Sequence, residues 1–197
     1  MRDNPTIQTI DTDFSKGRLR HKQVISLEDT AKFHGHLCDG LVVGFLGLKE
    51  ALFKLYPGKI IDRTNTRIVS KSSPCISDIG IYLTGGRYQF NTYYVDDNIL
   101  YPYIVQRIDN SLTYGVKLKP GIKPSIIEEM GDRAIERKLS PNDLDKLKKL
   151  EDDFSDKLLS LNAKDIFVIE EIENFNWQPY LKNTFIKTDV INKGLPK

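Results

Sequence analysis

The segment FHGHLCDGLVVGFLGLKEALFKL, residues 33–55, carries the strongest structural and chemical signals in this chain of 197 residues. From Asp39 onward its apolar residues recur at intervals of three and four, which is the spacing of a helix with one buried face. The pair Pro57-Gly58 follows and predicts where that helix ends. We therefore predict a helix that begins near Asp39 and reaches Leu55.

The predicted helix has small residues along one face. Gly40, Gly44, Gly47 and Ala51 are separated by four, three and four positions. A glycine inside a helix costs about 1 kcal/mol relative to alanine. Repeated glycines on one face therefore predict that another helix, a sheet or a partner subunit approaches closely. Packing is the simpler interpretation, and ligand access is the alternative.

The start of the segment, His34-Gly-His36-Leu-Cys38, holds two of the three histidines and one of the two cysteines of the chain. Imidazole nitrogen and thiolate sulfur are ligands that suit zinc and other late first-row metals. On an uninterrupted helix His34 and Cys38 would share a face, whereas in an extended loop His36 and Cys38 would. From spacing alone, a metal site and ordinary buried residues are both open.

Both cysteines fall at predicted helix starts. Cys38 directly precedes the long helix, and Cys75 lies in the first turn of a helix that Ser73-Pro74 predicts. The free N–H groups of a helix start favour anions, so we expect a lowered thiol pKa at both positions. Asp78 would share a helix face with Cys75, although an acid in the first turns of a helix also interacts favourably with the helix dipole. For Cys75 alone, core packing is the simpler interpretation.

The remaining pattern predicts an α+β fold in which helices pack on a mixed, largely antiparallel sheet. Ser26 caps a short helix that reaches about Phe33, and Ser140-Pro141 starts a fresh helix within the helical region 124–162. Strands are predicted in residues 64–70, 88–95, 101–108, 112–118 and 166–172. We expect an irregular lead-in over 1–25, one domain over 26–172 and an extension over 173–197.

Composition excludes several classes of function. The chain has 29 Lys and Arg against 27 Asp and Glu, without a basic block, so we expect no nucleic-acid partner. Its N-terminus is charged and no apolar run approaches a membrane span, so we predict a cytoplasmic protein without membrane attachment. In that compartment the two cysteines would remain thiols.

Residues 33–51 resemble the first motif of the formylmethanofuran dehydrogenase FmdE family, whose pattern is F-H-G-H-x-C-P-G-x-x-x-G. The blocks SPCISDIGI (73–81) and AKDIFVI (163–169) are similar to its later segments. Asp39 stands where the family usually has proline. The resemblance implies an FwdE-like α+β fold, commonly a dimer, and a metal site that uses the histidine–cysteine motif.

The resemblance and the residues together nominate five metal ligands, which are His34, His36, Cys38, Cys75 and Asp78. Our leading hypothesis is a metal-binding protein holding zinc, or another transition metal such as nickel or iron, and acting as a metal-dependent enzyme of unknown substrate. The alternative is a non-catalytic accessory subunit, or a carrier of metal or cofactor for an oxidoreductase. A third hypothesis is metal-free thiol chemistry at Cys38 with a histidine as base. We expect a homodimer.

Overall fold

The computed structural model describes residues 3–196 and contains eight strands and six α-helices in that range. The strands are β1 (Thr6–Thr12), β2 (Leu19–Ser26), β3 (Ile60–Asp62), β4 (Thr66–Ser70), β5 (Tyr93–Val95), β6 (Tyr103–Arg107), β7 (Thr113–Leu118) and β8 (Phe167–Glu171). The helices are α1 (Leu27–His34), α2 (Asp39–Leu55), α3 (Pro74–Thr84), α4 (Ser125–Ile135), α5 (Pro141–Ser160) and α6 (Ala163–Ile166). No helix over residues 3–196 combines the length and apolar composition that crossing a bilayer would require.

The larger sheet has the strand order β5-β4-β6-β7-β8. Its pairs are antiparallel except for β4 and β5, which run parallel. The prediction of helices on a mixed, largely antiparallel sheet is therefore confirmed. The predicted strand over 88–95 is too long, because residues 88–90 form a 3-10 turn and Asn91 adopts a left-handed φ of 54°. Only Tyr93–Val95 remains as a strand.

A second, smaller sheet has the order β2-β1-β3, with β1 antiparallel to β2 and parallel to β3. Most of the residues expected as an irregular lead-in over 1–25 belong to the β1–β2 hairpin, so that prediction is wrong. Thr9 and Thr12 are buried in β1 beside Ile7. Because threonines occupy buried positions there, the alternation of apolar and polar residues that marks a strand is weak in the sequence.

Local capping chemistry positions the helices around the site. The Ser26 hydroxyl accepts the N–H of Asp29, and the Asp29 carboxylate accepts the N–H of Ser26, which closes a capping box at the start of α1. The Ser73 hydroxyl similarly accepts the N–H of Ile76 at the start of α3. The predicted starts of these two helices are confirmed.

The glycine face of α2 packs against α3 and the larger sheet. A Cβ added to Gly40 would lie 3.0 Å from Sγ of Cys75, and one added to Gly44 would lie 3.1 Å from the Ile76 side chain. At Gly47, an added Cβ would clash with the Tyr103 hydroxyl. The packing interpretation of the small residues is therefore confirmed. The glycines allow α3 and the larger sheet to approach α2 closely, so that α2 is buried in the core.

Over the described residues 173–196, the C-terminal extension contacts the sheet edge and the β1–β2 hairpin. Nε1 of Trp177 donates a 2.9 Å hydrogen bond to the Asn91 carbonyl. Further along, Nζ of Lys187 donates to the Thr64 carbonyl, and the Thr188 hydroxyl contacts that of Ser15 at 2.8 Å. The extension therefore connects the edge of the larger sheet to the β1–β2 hairpin.

We predict that Gly47→Ala destabilises the protein by about 1–3 kcal/mol, because an added methyl group overpacks a closed contact. The added Cβ would lie 2.9 Å from Phe167 and 3.0 Å from Val116. Urea unfolding of the variant measures the change in the free energy of unfolding.

The matched control is Gly131→Ala in α4, where an added Cβ meets nothing within 4 Å. Helix propensity alone then applies, and we expect a gain of about 0.5–1 kcal/mol. Equal effects of the two substitutions would contradict close packing at Gly47.

Candidate metal centre

Three helix ends bring His34, Cys38 and Cys75 together. His34 is the last residue of α1, Cys38 caps the start of α2, and Cys75 lies in the first turn of α3. Gly35 turns the chain between the first two with a left-handed φ of 102°, a conformation that side chains disfavour. Both cysteines are free and half-buried.

The spacing of the three donor atoms is close to that around a tetrahedral ion. Sγ of Cys38 lies 3.4 Å from Sγ of Cys75, and Nε2 of His34 lies 3.9 Å and 3.7 Å from these two sulfurs. Zinc–sulfur bonds of about 2.3 Å and zinc–nitrogen bonds of about 2.0 Å separate tetrahedral ligands by about 3.5–3.8 Å. A metal ion therefore fits among these atoms with small adjustments.

His36 stands next to this group on the exposed surface. A ring nitrogen of His36 lies within 4.8 Å of ligand atoms of both His34 and Cys38. The two imidazole rings are 4.7 Å apart between centroids. The chain thus has a His/Cys cluster that could hold a metal ion, with His36 available as a further donor on the solvent side.

Asp78 lies on the other side of the His34 ring. Its Oδ2 is 2.7 Å from Nδ1 of His34, whereas Nε2 of the same ring faces the sulfurs. A carboxylate in this position accepts the Nδ1 proton, which fixes the ring orientation and leaves Nε2 free as a donor to metal. The contact of Asp78 in the structure is therefore with a candidate ligand, and its own role as a ligand stays a prediction.

The two thiols share one hydrogen bond and differ in acidity. The hydrogen bond from Cys75 lowers the pKa of Cys38 to about 6 despite burial, with help from the Leu41 N–H and the positive charge of His34. That same hydrogen bond, burial and the negative charge of Cys38 raise the pKa of Cys75, so the lowered pKa expected from its helix-start position is wrong. Cys38 is therefore the more acidic of the two thiols.

The imidazole beside this thiolate is held toward its charged form. Burial lowers the pKa of His34, but the hydrogen bond to Asp78 and the negative charges of Cys38 and Asp78 outweigh it and the pKa is raised. The side chain of His34 is only 7% exposed. A cation placed among these groups would take the place of the protons that now balance the thiolate.

A second charged group lies behind the cysteines. Asp39, buried at the start of α2, forms an ion pair with Lys123, whose Nζ is 2.8 Å from Oδ2. Glu151 on α5 lies near, and burial together with the charge of Asp39 raises its pKa. Sequence reasoning missed Lys123 and Glu151, because both are distant along the chain and no spacing links them to the motif.

In metal-free protein, we predict that iodoacetamide alkylates Cys38 with a rate that is half-maximal near pH 6. Because the pKa of Cys38 is lowered, the thiolate persists above that pH and is lost as the pH falls through it. For an unperturbed thiol, the rate would be half-maximal at about pH 8.5. Mass spectrometry of the modified peptide measures the rate.

The control variant is Cys75→Ala, which removes the hydrogen-bond donor and should move the midpoint upward. A midpoint near that of a free thiol in the unsubstituted protein would contradict the shared hydrogen bond.

A comparison with known protein families gives a match that includes the His/Cys cluster. The model of a protein family described as "FmdE, Molybdenum formylmethanofuran dehydrogenase operon" matches residues 33–168. That range starts just before the His/Cys cluster and ends within β8, leaving out the β1–β2 hairpin and the C-terminal extension. The search of curated proteins gave no match. Because the matched range covers more than half of the 197 residues, the chain belongs to the FmdE family.

Proposed function

We propose that the protein binds a zinc ion through Nε2 of His34 and the sulfurs of Cys38 and Cys75, with His36 as the fourth donor. The observation that carries this proposal is the set of distances of 3.4–3.9 Å among the first three atoms. Two thiolates with imidazole form a donor set typical of zinc, and nickel or iron(II) are the other metals that it suits.

The surrounding residues prepare these donors. Asp78 holds the outer nitrogen of His34, and the Leu41 N–H donates to Sγ of Cys38 at 3.4 Å. Gly40 leaves the space that Sγ of Cys75 occupies. Each of these contacts would hold a donor atom in place for a metal ion.

The exposed position of His36 favours a metal-dependent enzyme as the use of this site. A side chain on the surface is the donor that most readily yields its place to a substrate or water. A zinc ion with an open position polarises a carbonyl, or lowers the pKa of bound water to about 7. Asp39, paired with Lys123 beside Cys38, is the buried carboxylate that we assign to proton transfer.

A second candidate is an accessory subunit or a metal carrier for an oxidoreductase, and the operon named in the family description favours it. Phe33, next to the cluster, leaves 51% of its side chain exposed and could contact such a partner. We further propose that the protein is a homodimer. We also propose that it acts in the cytoplasm, where both cysteines would stay reduced.

Elemental analysis tests the metal site. We expect near-stoichiometric zinc in protein purified without a metal-affinity column, and loss of that zinc in both Cys38→Ser and Cys75→Ser, because each removes one thiolate. Unchanged zinc in either variant would remove that cysteine from the site. If the unsubstituted protein takes up no metal even on reconstitution, the proposal fails and thiol chemistry at Cys38 becomes the better hypothesis.

Asp78→Asn tests the positioning of His34. The amide keeps the shape of the carboxylate but removes its charge, so we expect zinc affinity to fall about 10- to 100-fold. Competition with a fluorescent chelator measures the affinity.

Asp132→Asn, on the exposed surface of α4, is the matched control and should leave the affinity unchanged. A loss as large as that of His34→Ala would instead indicate that Asp78 is itself a ligand, and no loss would contradict its positioning role.

A further inference from the structure

A cavity of about 730 Å³ lies beside the C-terminal half of α2, between that helix, the loop after it and the α6–β8 segment. We call it the lysine cavity. Four lysines line it, namely Lys49, Lys54, Lys59 and Lys164. The remaining lining residues are the apolar Phe53, Phe167 and Ile169 and the single acid Glu50.

Over the described part of the chain, no ion pair within 4.0 Å joins any of the four ammonium groups to a carboxylate. On α5, by contrast, Lys148 and Lys149 lie 2.6 Å and 2.8 Å from acids one turn away. With Glu50 as its only lining acid, the cavity keeps three net positive charges.

Aromatic rings lie beside three of these four lysines. Nζ of Lys49 lies 5.7 Å and Nζ of Lys59 lies 5.4 Å from the centre of the Phe53 ring. Nζ of Lys54 lies 5.6 Å from the Tyr114 ring. Burial lowers the pKa of Lys49, the charge of Glu50 opposes this and the charge of Lys59 adds to it. An anion would relieve the repulsion that the cavity maintains.

We propose that the lysine cavity binds an organic polyphosphate of nucleotide size, with its phosphates at the lysines and its flat apolar body against the half-buried Phe53 and Ile169. The volume falls in the range of small-molecule sites, about 300–1,000 Å³. Lysine serves phosphate as a compact point charge, and an aromatic ring offers a face on which a base can stack.

The lysine cavity is separate from the metal centre. Lys49 follows Cys38 by eleven positions on α2, so the two sites are about 16 Å apart along the helix. The proposal therefore neither needs nor predicts a bound metal, and its failure would leave the zinc proposal intact.

Calorimetric titration at low salt tests the site with three probes, which are ATP, inorganic tripolyphosphate and adenosine. We expect ATP to bind most tightly, tripolyphosphate more weakly and adenosine not measurably. The affinity for ATP should fall as salt is added, because the contacts are between charges.

Two variants assign the binding to the cavity. Lys54→Gln with Lys59→Gln removes two charges that are exposed and make no ion pair in the described chain, and should weaken ATP binding by about tenfold or more. Phe53→Leu should weaken ATP but leave tripolyphosphate unchanged. Lys146→Gln with Lys157→Gln, both exposed on α5, makes the same change in net charge and should bind ATP as the unsubstituted protein does.

The proposal is overturned if ATP fails to bind at low salt, or if the two paired variants lose affinity equally, since binding would then follow net charge alone. Tripolyphosphate binding as tightly as ATP, without an effect of Phe53→Leu, would overturn the role of the apolar body. Circular dichroism and zinc content, both expected unchanged, show that any lost affinity does not come from misfolding or from the metal centre.

Discussion

The close contact between the first turns of α2 and α3 is the constraint on which the site depends. Because Gly40 has no side chain, Sγ of Cys75 can pack against its backbone. A Cβ at position 40 would lie only 3.0 Å from that sulfur. The same helix face continues to Gly44 and Gly47, which let α3 and the larger sheet close on α2. The separation of the two thiols is thus fixed by buried helix packing, so the centre is formed by the core itself.

That packing has an electrostatic consequence. Two helix starts converge on one pair of sulfurs, and Cys38 accepts the Leu41 N–H as the cap of α2. One negative charge is stable there, because helix N–H groups, a neighbouring thiol and His34 all face it. A second thiolate is not, and the pKa of Cys75 rises. A divalent cation bound there, as we propose, would balance both sulfurs. Small zinc fingers differ, because they need the ion to build their core as well.

The sequence predicted the parts of this structure that depend on local chemistry. Helix starts at Ser26 and Ser73 follow from capping, which acts over three residues, and both were found. The β1–β2 hairpin was missed because threonines occupy buried positions in it, which weakens the alternation of apolar and polar residues that marks a strand. Within the site, residue type singled out the His34–Cys38 motif, whereas Cys75 was nominated with the help of the family resemblance, and the two sulfurs do lie 3.4 Å apart. The contact of Asp78 with His34 across 44 positions was not, because it is set by how α1 and α3 pack.

The spacing also left open whether His34 or His36 stands with Cys38, and neither simple geometry applies. Gly35 ends α1, so the motif is half helix and half loop, and ring nitrogens of both histidines lie near the sulfur.

The dipole of α2 explains part of the charge distribution at the two ends of the helix, but it does not account for all of the positive charge at the C-terminal end. The dipole favours an anion at the first turn, where Cys38 lies, and cations at the last turn, where Lys54 lies. Its influence fades within one turn. Lys49 is more than a turn from the end of the helix, and Lys164 belongs to α6, so their presence in the same cavity needs another cause. An anion from outside the chain, as we propose, would give these lysines a partner that the described residues do not provide.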